Sequence, residues 1–283
     1  MKRLIILFLS LSLLYCIERF CHEKTDGFAI ENIASGAKVK SQASLPPFLE
    51  PLLNQPFFYL DSGAQSYVFI SQDQEFVLKF FKNQHLRIPP WIDALPLFGP
   101  LGKYQRAKRE KKSAIKQQLI ESIDIADKYL KEETGLIYTH LQKTQGLNKK
   151  LTIYDKINIC HKLDLDQYEF YIQKKAELAY SYLAKTRDSK VLYKLLKLIK
   201  SRYEKNIFDK DPDFATNFGF IYDTPIQIDL GRFSIMAPPL SSLFLKEEMI
   251  RITRPFKKWL EKESHPFYKE IDATIEDLYA PNQ

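Results

Sequence analysis

The segment that most constrains this chain is residues 206–233, NIFDKDPDFATNFGFIYDTPIQIDLGRF. An Asp-rich loop leads to Asn217, and an Asp-Leu-Gly turn begins at Asp229. Between them lies FGFIYDTPIQI, rich in aromatic and β-branched residues, which predicts a hairpin with its turn at residues 223–225. Such a hairpin would bring Asn217 and Asp229 to the same end of two paired strands. Because Mg²⁺ accepts amide and carboxylate oxygens beside phosphate, these two residues are a candidate metal site.

A purely structural interpretation of this segment also exists. Asp-x-Gly turns are common, and three Asp residues in one loop are typical of a solvated loop that starts or stops a helix. Taken alone, the segment favours that interpretation. Elements upstream, in a matching order, favour a functional one.

Three predicted strands lie upstream, in the segment FYLDSGAQSYVFISQDQEFVLKFFK. Aromatic and β-branched residues bounded by Gly, Ser and Asp predict an antiparallel meander with strands near residues 57–60, 66–71 and 76–81. Lys79 lies inside the third strand, among apolar residues. A lysine that discourages aggregation at a sheet edge is one explanation of this position.

The loop, the lysine, the Asn and the Asp-x-Gly turn together resemble a divergent protein-kinase-like fold, similar to bacterial members with a short C-terminal lobe. The resemblance covers about residues 56–235. The fixed positions of the family's glycine-rich loop correspond to Asp61, Gly63, Ser66 and Val68, so the middle glycine and the valine are kept. The resemblance implies that backbone N–H groups near Gly63 approach phosphate, with Ser66 as a further donor and Asp61 as a departure.

The resemblance also implies roles for the other residues. Lys79 would orient the α- and β-phosphates of ATP, and Asn217 and Asp229 would hold Mg²⁺. A Glu of a long helix would pair with Lys79. Glu121 is the nearest candidate for that Glu, and its rivals are Glu110 and Glu133.

The pattern offers three candidates for the catalytic base. In the family it stands five residues before the Asn, where this chain has Pro212. A loop longer by one residue would let Asp211 orient the acceptor hydroxyl and take its proton, so Asp211 is favoured, while Asp209 and Asp213 stay open. The chain has no His-Arg-Asp triplet and no Ala-Pro-Glu motif. The resemblance therefore favours a small-molecule or unusual protein acceptor over a docked peptide.

Hydrophobic periodicity assigns the remaining elements. Apolar residues at three- and four-residue intervals predict a long helix over residues 104–133, ended by Gly135, and a helical region over 165–203. Strands predicted at residues 136–142 and 151–159 bring the small lobe to five strands.

The predicted fold class is α+β. We expect a bilobal protein-kinase-like fold with a small antiparallel β lobe plus one long helix, and a mostly helical, shortened large lobe. The predicted organisation is a signal peptide or N-terminal anchor (1–20), a linker (21–45), an N-lobe (46–160) and a C-lobe (161–283).

The N-terminus has a charged start and a twelve-residue apolar run, LIILFLSLSLLY, typical of a secretory signal peptide. The run is shorter than the roughly 20 apolar residues of a membrane span. The residues directly before Cys16, Leu-Leu-Tyr, lack the small residues of a signal peptidase site, so a cleaved signal and an uncleaved anchor both stay open. We expect an exported or membrane-anchored protein that associates with membranes through this segment.

Composition limits the remaining classes of partner. Three cysteines argue against a disulfide framework, and Cys160 is expected to pack as a small apolar residue. The net charge is +7, but the densest basic run, residues 106–112, has no interleaved aromatic residues. That run predicts a solvated helix face, so nucleic acid is not an expected partner.

Three functional interpretations follow. The first is an ATP- and Mg²⁺-dependent phosphotransferase of the protein-kinase-like superfamily with an unidentified acceptor. The second is a pseudokinase that binds a nucleotide or a partner without turnover. The third is a basic envelope-associated protein whose Asp loop is structural. Whether the protein is an enzyme stays open at this point.

Overall fold

The computed structural model describes residues 2–36, 41–96, 98–237 and 240–280, which confirm the predicted α+β class. The α-helices are α1 (Lys2–Thr25), α2 (Ile30–Ile33), α3 (Glu50–Leu53), α4 (Asn83–Leu86), α5 (Pro90–Asp93), α6 (Gly99–Tyr129), α7 (Lys131–Thr134), α8 (Ala179–Leu183), α9 (Ser189–Glu204), α10 (Ser242–Lys262) and α11 (Phe267–Tyr279). The strands are β1 (Ser41–Gln42), β2 (Phe57–Ser62), β3 (Ser66–Ser71), β4 (Phe76–Phe81), β5 (Leu136–His140), β6 (Thr144–Gln145), β7 (Lys150–Tyr154), β8 (Cys160–Asp164), β9 (Phe170–Lys174), β10 (Glu177–Leu178), β11 (Ile207–Asp209), β12 (Phe218–Ile221), β13 (Thr224–Gln227) and β14 (Phe233–Ile235).

The largest sheet in the described part of the chain has seven strands, in the order β5-β9-β4-β3-β2-β7-β8, where five were predicted. The predicted meander β2-β3-β4 is antiparallel, but β7 runs parallel to β2, so the sheet is mixed. The strand predicted over residues 151–159 ends at Tyr154. Its chain then turns, because the Asp155 carboxylate accepts hydrogen bonds from the backbone N–H groups of Ile157 and Ile159.

The helical region predicted from residue 165 is wrong in its first part. Residues 170–174 form β9, in which Phe170, Tyr171 and Ile172 are buried. A short apolar run is compatible with a buried strand or a buried helix, so periodicity alone does not separate the two. Helices α8 and α9 follow, and Asp188 caps α9 by accepting a hydrogen bond from the backbone N–H of Lys190.

The N-terminal region predicted as a linker is packed in part. Helix α1 extends into it, and α2 follows. Phe28 is buried, and its ring lies edge-on to those of Tyr67 and Phe69, with centroid distances of 5.2 and 5.3 Å. Residues 37–40 of the predicted linker lie outside the described residues. A segment of polar and small residues can therefore pack through one aromatic anchor.

Helix α1 covers the predicted signal or anchor segment, and the large apolar side chains described in it, from Ile5 to Phe20, are exposed. Among the helices that the structure describes, none has the length and apolar character needed to cross a membrane.

Several smaller predictions can be compared with the structure. The long helix is present as α6, but it begins at Gly99 and ends at Tyr129. Gly135 ends the short helix α7 with a φ of 62°, as expected for a glycine after a helix C-terminus. The prediction that Cys160 packs in the interior is wrong, because this residue is exposed at the start of β8.

The chain divides into two compact units, and the boundaries fall inside α6, β5 and β9. Unit 1 contains Met1–Ser113 and His140–Tyr171, and unit 2 contains Ala114–Thr139 and Ile172–Gln283.

Each unit has its own buried apolar residues. In unit 1, side chains of β2, β3, β4 and β7 are fully buried, among them Phe57, Phe69, Leu78, Phe80 and Ile153. In unit 2, helices α9, α10 and α11 pack with the small strands β11 to β13 around Leu195, Leu196, Phe218, Phe256 and Ile271. The candidate residues of each unit are attached to one of these cores.

Candidate functional site

In unit 2, strands β11 to β14 arrange the candidate metal residues. Strand β11 pairs antiparallel with β14, and β12 pairs antiparallel with β13, with Phe218 opposite Gln227. The backbone N–H of Ile228 donates to the carbonyl of Asn217 at 2.8 Å, which extends the ladder by one step. The predicted hairpin is confirmed, and its open end carries Asn217 on one side and Asp229 on the other. Its turn lies at Tyr222 and the next residue, slightly earlier than predicted, and Tyr222 has a φ of 54°.

The Asn217 side chain is buried and oriented by two hydrogen bonds. Its Nδ2 donates to the backbone carbonyl of Asp211 at 2.5 Å, and its Oδ1 lies 3.0 Å from the Thr216 hydroxyl, which shares its one hydrogen between this oxygen and the Asp213 carboxylate. An amide oxygen has two lone pairs, so one remains for a cation. Asn217 therefore fixes the Asp loop and still presents an oxygen ligand.

Asp229 is partly buried, and the turn after it is fixed. Its Oδ1 accepts a hydrogen bond from the backbone N–H of Gly231 at 3.0 Å. Within the described residues, its Oδ2 has no hydrogen-bond partner and its carboxylate has no ion pair. The hydroxyl of Ser122, on α6, donates to the carbonyl of Leu230 and accepts from the backbone N–H of Phe233 at 2.6 Å. Helix α6 thus holds the turn that carries Asp229.

The three candidate bases have different environments. The Asp211 carboxylate is about half exposed (55%), and its Oδ2 lies 3.7 Å from Nε of Arg232. Asp213 is used locally, since it accepts hydrogen bonds from the backbone N–H of Ala215 at 3.1 Å and from the Thr216 hydroxyl at 2.7 Å.

Asp209 is the buried member of the three. Its Oδ1 accepts from the backbone N–H of Asp211 at 2.9 Å, and its Oδ2 accepts from Nε2 of Gln227. Burial raises the pKa of Asp209, and the negative charge of Asp229 adds to this effect, while Arg202 opposes it. Of the three carboxylates, that of Asp211 is the one best exposed to an acceptor.

Arg202 and Gln227 belong to this cluster although the sequence did not single them out. The buried Arg202 donates a hydrogen bond from Nη1 to Oε1 of Gln227, and burial lowers the pKa of its guanidinium. The sequence does contain an indication of this. Arg202 follows Leu195 and Ile199 at four- and three-residue steps, on the buried stripe of α9. A charged residue on an apolar stripe predicts a buried polar network.

In unit 1, the loop that resembles a glycine-rich loop is a closed turn. The backbone N–H of Gly63 donates to the carbonyl of Ser66 at 3.0 Å, and Asp61 pairs with Val68 in the β2–β3 register. A Cβ on Gly63 would meet no atom closer than 3.8 Å. The backbone at Gly63 therefore does not itself require a glycine, and its N–H is engaged within the turn.

Lys79 lies opposite Val68 in the β3–β4 register and is largely buried, with 9% of its surface exposed. Its Nζ is 5.6 Å from the centroid of the Tyr171 ring. A buried ammonium beside an aromatic face gains a cation–π contact and loses hydration. Lys79 is thus held within the unit 1 sheet, on the same ladder position as the valine of the loop motif.

The Glu candidates lie at different places. Glu121, on the unit 2 part of α6, accepts a hydrogen bond from Nε2 of Gln117 at 2.8 Å. Glu133 forms an ion pair with Lys205, whose Nζ also donates to the carbonyl of Tyr129 at 2.8 Å. Glu110 is exposed.

The donor set of unit 2 fits a magnesium ion bound together with phosphate. Among the described residues, no three His, Cys, Asp or Glu side chains converge as a metal cluster. Asn217 and Asp229 supply one neutral and one charged oxygen, and Mg²⁺ commonly takes only one or two protein ligands and completes its shell with water and phosphate.

No protein-family model matches the chain, and no curated protein matches it. Among solved structures, the chain is similar to WbdD, with 12% identity, 79% of this chain and 46% of that chain covered, and a TM-score of 0.40. It is similar to the bifunctional kinase-methyltransferase WbdD in a second structure, with 14% identity and a TM-score of 0.36. The match covers 77% of this chain and 43% of that chain. It is also similar to Rv3197 from Mycobacterium tuberculosis in complex with erythromycin, with 12% identity and a TM-score of 0.34. The match covers 70% of this chain and 53% of that chain. The chain spans about half the length of these solved chains.

Proposed function

We propose that this protein is an ATP- and Mg²⁺-dependent phosphotransferase of the protein-kinase-like superfamily. The observation that carries the proposal is the open end of the β12–β13 hairpin. There the Asn217 amide, bonded to the Asp211 carbonyl, stands beside Asp229, whose Oδ2 is unpaired among the described residues. This one cluster offers two oxygen ligands for a cation and an exposed carboxylate.

The chain's residues have distinct parts in the proposed reaction. Asn217 and Asp229 hold the cation, and Lys79 supplies positive charge to the α- and β-phosphates. Bound Mg²⁺ would neutralise charge that develops on the transferred phosphoryl group. Asp211 orients an acceptor hydroxyl and takes its proton. As the family resemblance implies, Glu121 would pair with Lys79. The loop that contains Gly63, Ser66 and Val68 would approach the phosphates.

The positioning of Asp211 follows from its neighbours. The buried Asp209 holds the backbone N–H of Asp211, and Asn217 holds its carbonyl, so both sides of this peptide position are fixed. The carboxylate itself stays exposed beside Arg232. A fixed backbone with an exposed carboxylate suits a group that must meet an acceptor hydroxyl at hydrogen-bond distance.

The pseudokinase is the second candidate, and one observation favours it. The loop turn in unit 1 keeps its Gly63 N–H bonded to Ser66, and Asp61 places a carboxylate at a position where the family has glycine. A carboxylate near a triphosphate is unfavourable unless it points away or meets the metal. Weak nucleotide binding or loss of turnover would follow from this departure.

Thermal unfolding of the full chain with ATP and Mg²⁺ tests the proposal. We expect MgATP to raise the midpoint, and we expect Lys79→Met and Asp229→Asn each to reduce the shift by roughly half or more, since each removes a charge-assisted contact. Asp223→Asn is the matched control for Asp229→Asn, because Asp223 lies at the exposed turn of the same hairpin and pairs with Lys194. No shift for the unmodified protein would contradict nucleotide binding.

Transfer of labelled phosphate distinguishes the enzyme from the pseudokinase. We expect transfer or slow ATP hydrolysis that Asp211→Asn lowers by roughly a hundredfold, the usual scale for a general base. A thermal shift that depends on Asp229, without any turnover across acceptor screens, would favour the pseudokinase instead.

A further inference from the structure

Unit 1 contains a polar cleft that the proposed reaction does not use. Its volume is about 600 Å³, and it lies between the end of α1, the tip of β2 and the residues that follow β4. Its lining includes His22, Asp61, Lys82, Gln84 and His85. All of these belong to unit 1.

Lys82 supplies an ammonium that has no anionic partner within the described residues. Its Nζ lies 4.7 Å from the centroid of the Tyr67 ring, and no hydrogen bond or ion pair of this group is present there. Burial lowers the pKa of Lys82, and the carboxylates of Asp26 and Asp61 oppose that effect from a distance. The ammonium has therefore lost part of its hydration without gaining an acceptor.

The side chain of Gln84 lines the cleft and is held there by Tyr67. Its Nε2 donates to the Tyr67 hydroxyl at 2.9 Å, and that hydroxyl donates to the carbonyl of Gly27 at 2.6 Å. Its Oε1 is buried and has no donor among the described residues. The Gln84 amide nitrogen is therefore engaged, and its Oε1 has too little accessible surface for a molecule in the cleft to reach it.

The two carboxylates of the cleft differ in how many of their oxygens are bonded. Asp26 is neutralised, because its Oδ1 meets Nζ of Lys156 at 2.7 Å and its Oδ2 accepts from the Tyr59 hydroxyl at 2.7 Å. Asp61 uses Oδ1 to accept from the backbone N–H of Ser62 at 2.7 Å, and its Oδ2 has no partner among the described residues. The cleft therefore contains one carboxylate oxygen without a protein donor, on an exposed residue that a ligand can reach.

We infer that this cleft binds inorganic phosphate in its hydrogen phosphate form. The unprotonated oxygens would accept from Lys82 and from the ring N–H groups of His22 and His85. The P–OH hydrogen would be donated to Asp61 Oδ2. Sulfate has the same shape and charge as hydrogen phosphate but no hydrogen to donate at neutral pH. It would therefore place an unprotonated oxygen against the Asp61 carboxylate, and the two negative charges repel each other.

Calorimetric titration of the full chain with inorganic phosphate tests the inference, at constant ionic strength set with chloride. We expect saturable phosphate binding, with sulfate weaker by roughly tenfold or more. Lys82→Met and Lys82→Gln should each weaken phosphate binding by roughly tenfold or more, while Lys162→Met, an exposed lysine of β8, leaves it unchanged. Methyl phosphate, whose second pKa is about 6 and which therefore lacks a P–OH hydrogen above neutral pH, should bind as weakly as sulfate there.

Three results would overturn the inference. They are the absence of saturable phosphate binding, equal affinity for sulfate, and unchanged phosphate affinity in both folded Lys82 variants. A loss of phosphate binding in Lys79→Met, with Lys82→Met unaffected, would place the phosphate at the proposed nucleotide site instead. The cleft does not depend on the phosphotransferase proposal, so either can fail alone.

Discussion

Two glycines near the candidate residues differ in what a side chain would meet. A Cβ on Gly219, in β12, would lie 2.7 Å from the carbonyl oxygen of Glu177 and 2.9 Å from the Cβ of Ala176. On Gly63 the nearest atom would be 3.8 Å away. Strand β10 can therefore pair closely with the hairpin only because residue 219 has no side chain.

We expect Gly219→Ala to lower the free energy of unfolding by about 1–3 kcal/mol, because backbone atoms must move to accept the methyl group. Gly63→Ala is the matched control and should change stability by less than about 1 kcal/mol. Urea unfolding followed by circular dichroism measures both. Equal effects of the two substitutions would show that the close approach at Gly219 is not maintained in solution.

Asp209 gives a prediction that depends on pH. Burial, and then the charge of Asp229, raise the pKa of Asp209 above its ordinary value of 3.8. The folded protein therefore binds this proton more tightly than the unfolded chain does. The resulting stabilisation is complete below 3.8 and is lost as the pH rises through the higher folded pKa.

We expect the unfolding free energy of Asp209→Asn, which cannot titrate, to rise relative to that of the unmodified protein as the pH increases from about 4 to about 7. Denaturant unfolding at a series of pH values measures the difference. A difference that stays constant, or that falls with pH, would mean that Arg202 and the hydrogen bonds to Asp209 outweigh its burial.

At the scale of elements, Ser122 connects α6 to the Asp-Leu-Gly turn through one buried hydroxyl. Ser122→Ala would leave the carbonyl of Leu230 and the backbone N–H of Phe233 without their partner. We expect a loss of about 1–3 kcal/mol in unfolding free energy, the usual cost of buried unpaired groups. Ser113→Ala, at an exposed position of the same helix, should cost less than about 0.5 kcal/mol.

Nucleotide binding shows whether Ser122 also positions Asp229. With bound MgATP, we expect Ser122→Ala to reduce the thermal shift, and Ser122→Thr, which keeps the hydroxyl, to restore part of it. If the shift is unchanged in a folded Ser122→Ala variant, the residue is structural alone.

The elements that the sequence predicted well are those whose evidence is local. The hairpin of β12 and β13 and the meander of β2 to β4 depend on neighbouring strands and turn residues, so composition and spacing are enough. Strand β9 was missed because a short buried run lacks a period. Strand β8 was missed because its residues are mostly polar and exposed and follow a turn that the Asp155 side chain fixes. Boundaries set by single side chains cannot be predicted from periodicity.

The candidate site likewise contains residues whose proximity the sequence predicts and residues that only packing brings together. Asn217 and Asp229 share one hairpin, so their proximity could be predicted from the sequence. The Arg202–Gln227–Asp209 network joins residues that are distant in the chain, and only packing brings them together. The use of Asp213 in its own turn depends on the backbone conformation after Pro212, which residue types alone do not determine.

At the scale of the whole molecule, α1 is the main exposed apolar feature in the described part of the chain. Many of its large apolar side chains have at least half of their surface exposed, and together they lie on all sides of the helix. They are Ile5, Ile6, Phe8, Leu9, Leu11, Leu13, Leu14, Tyr15, Ile17 and Phe20. A groove on a partner protein covers one face of a helix, whereas lipid can surround it. Arg3 and Lys24, near its two ends, suit an anionic surface.

We therefore propose that α1 inserts into the apolar layer of a membrane and holds the protein there. Deletion of residues 2–20 should abolish flotation with anionic vesicles, because burying about ten such side chains contributes far more than the charges do. Leu11→Arg with Leu14→Arg is the less drastic variant. Lys103→Glu with Lys111→Glu, at exposed positions of α6, tests charge alone. Flotation that survives the α1 changes and disappears with the α6 changes would assign membrane binding to the basic helix face.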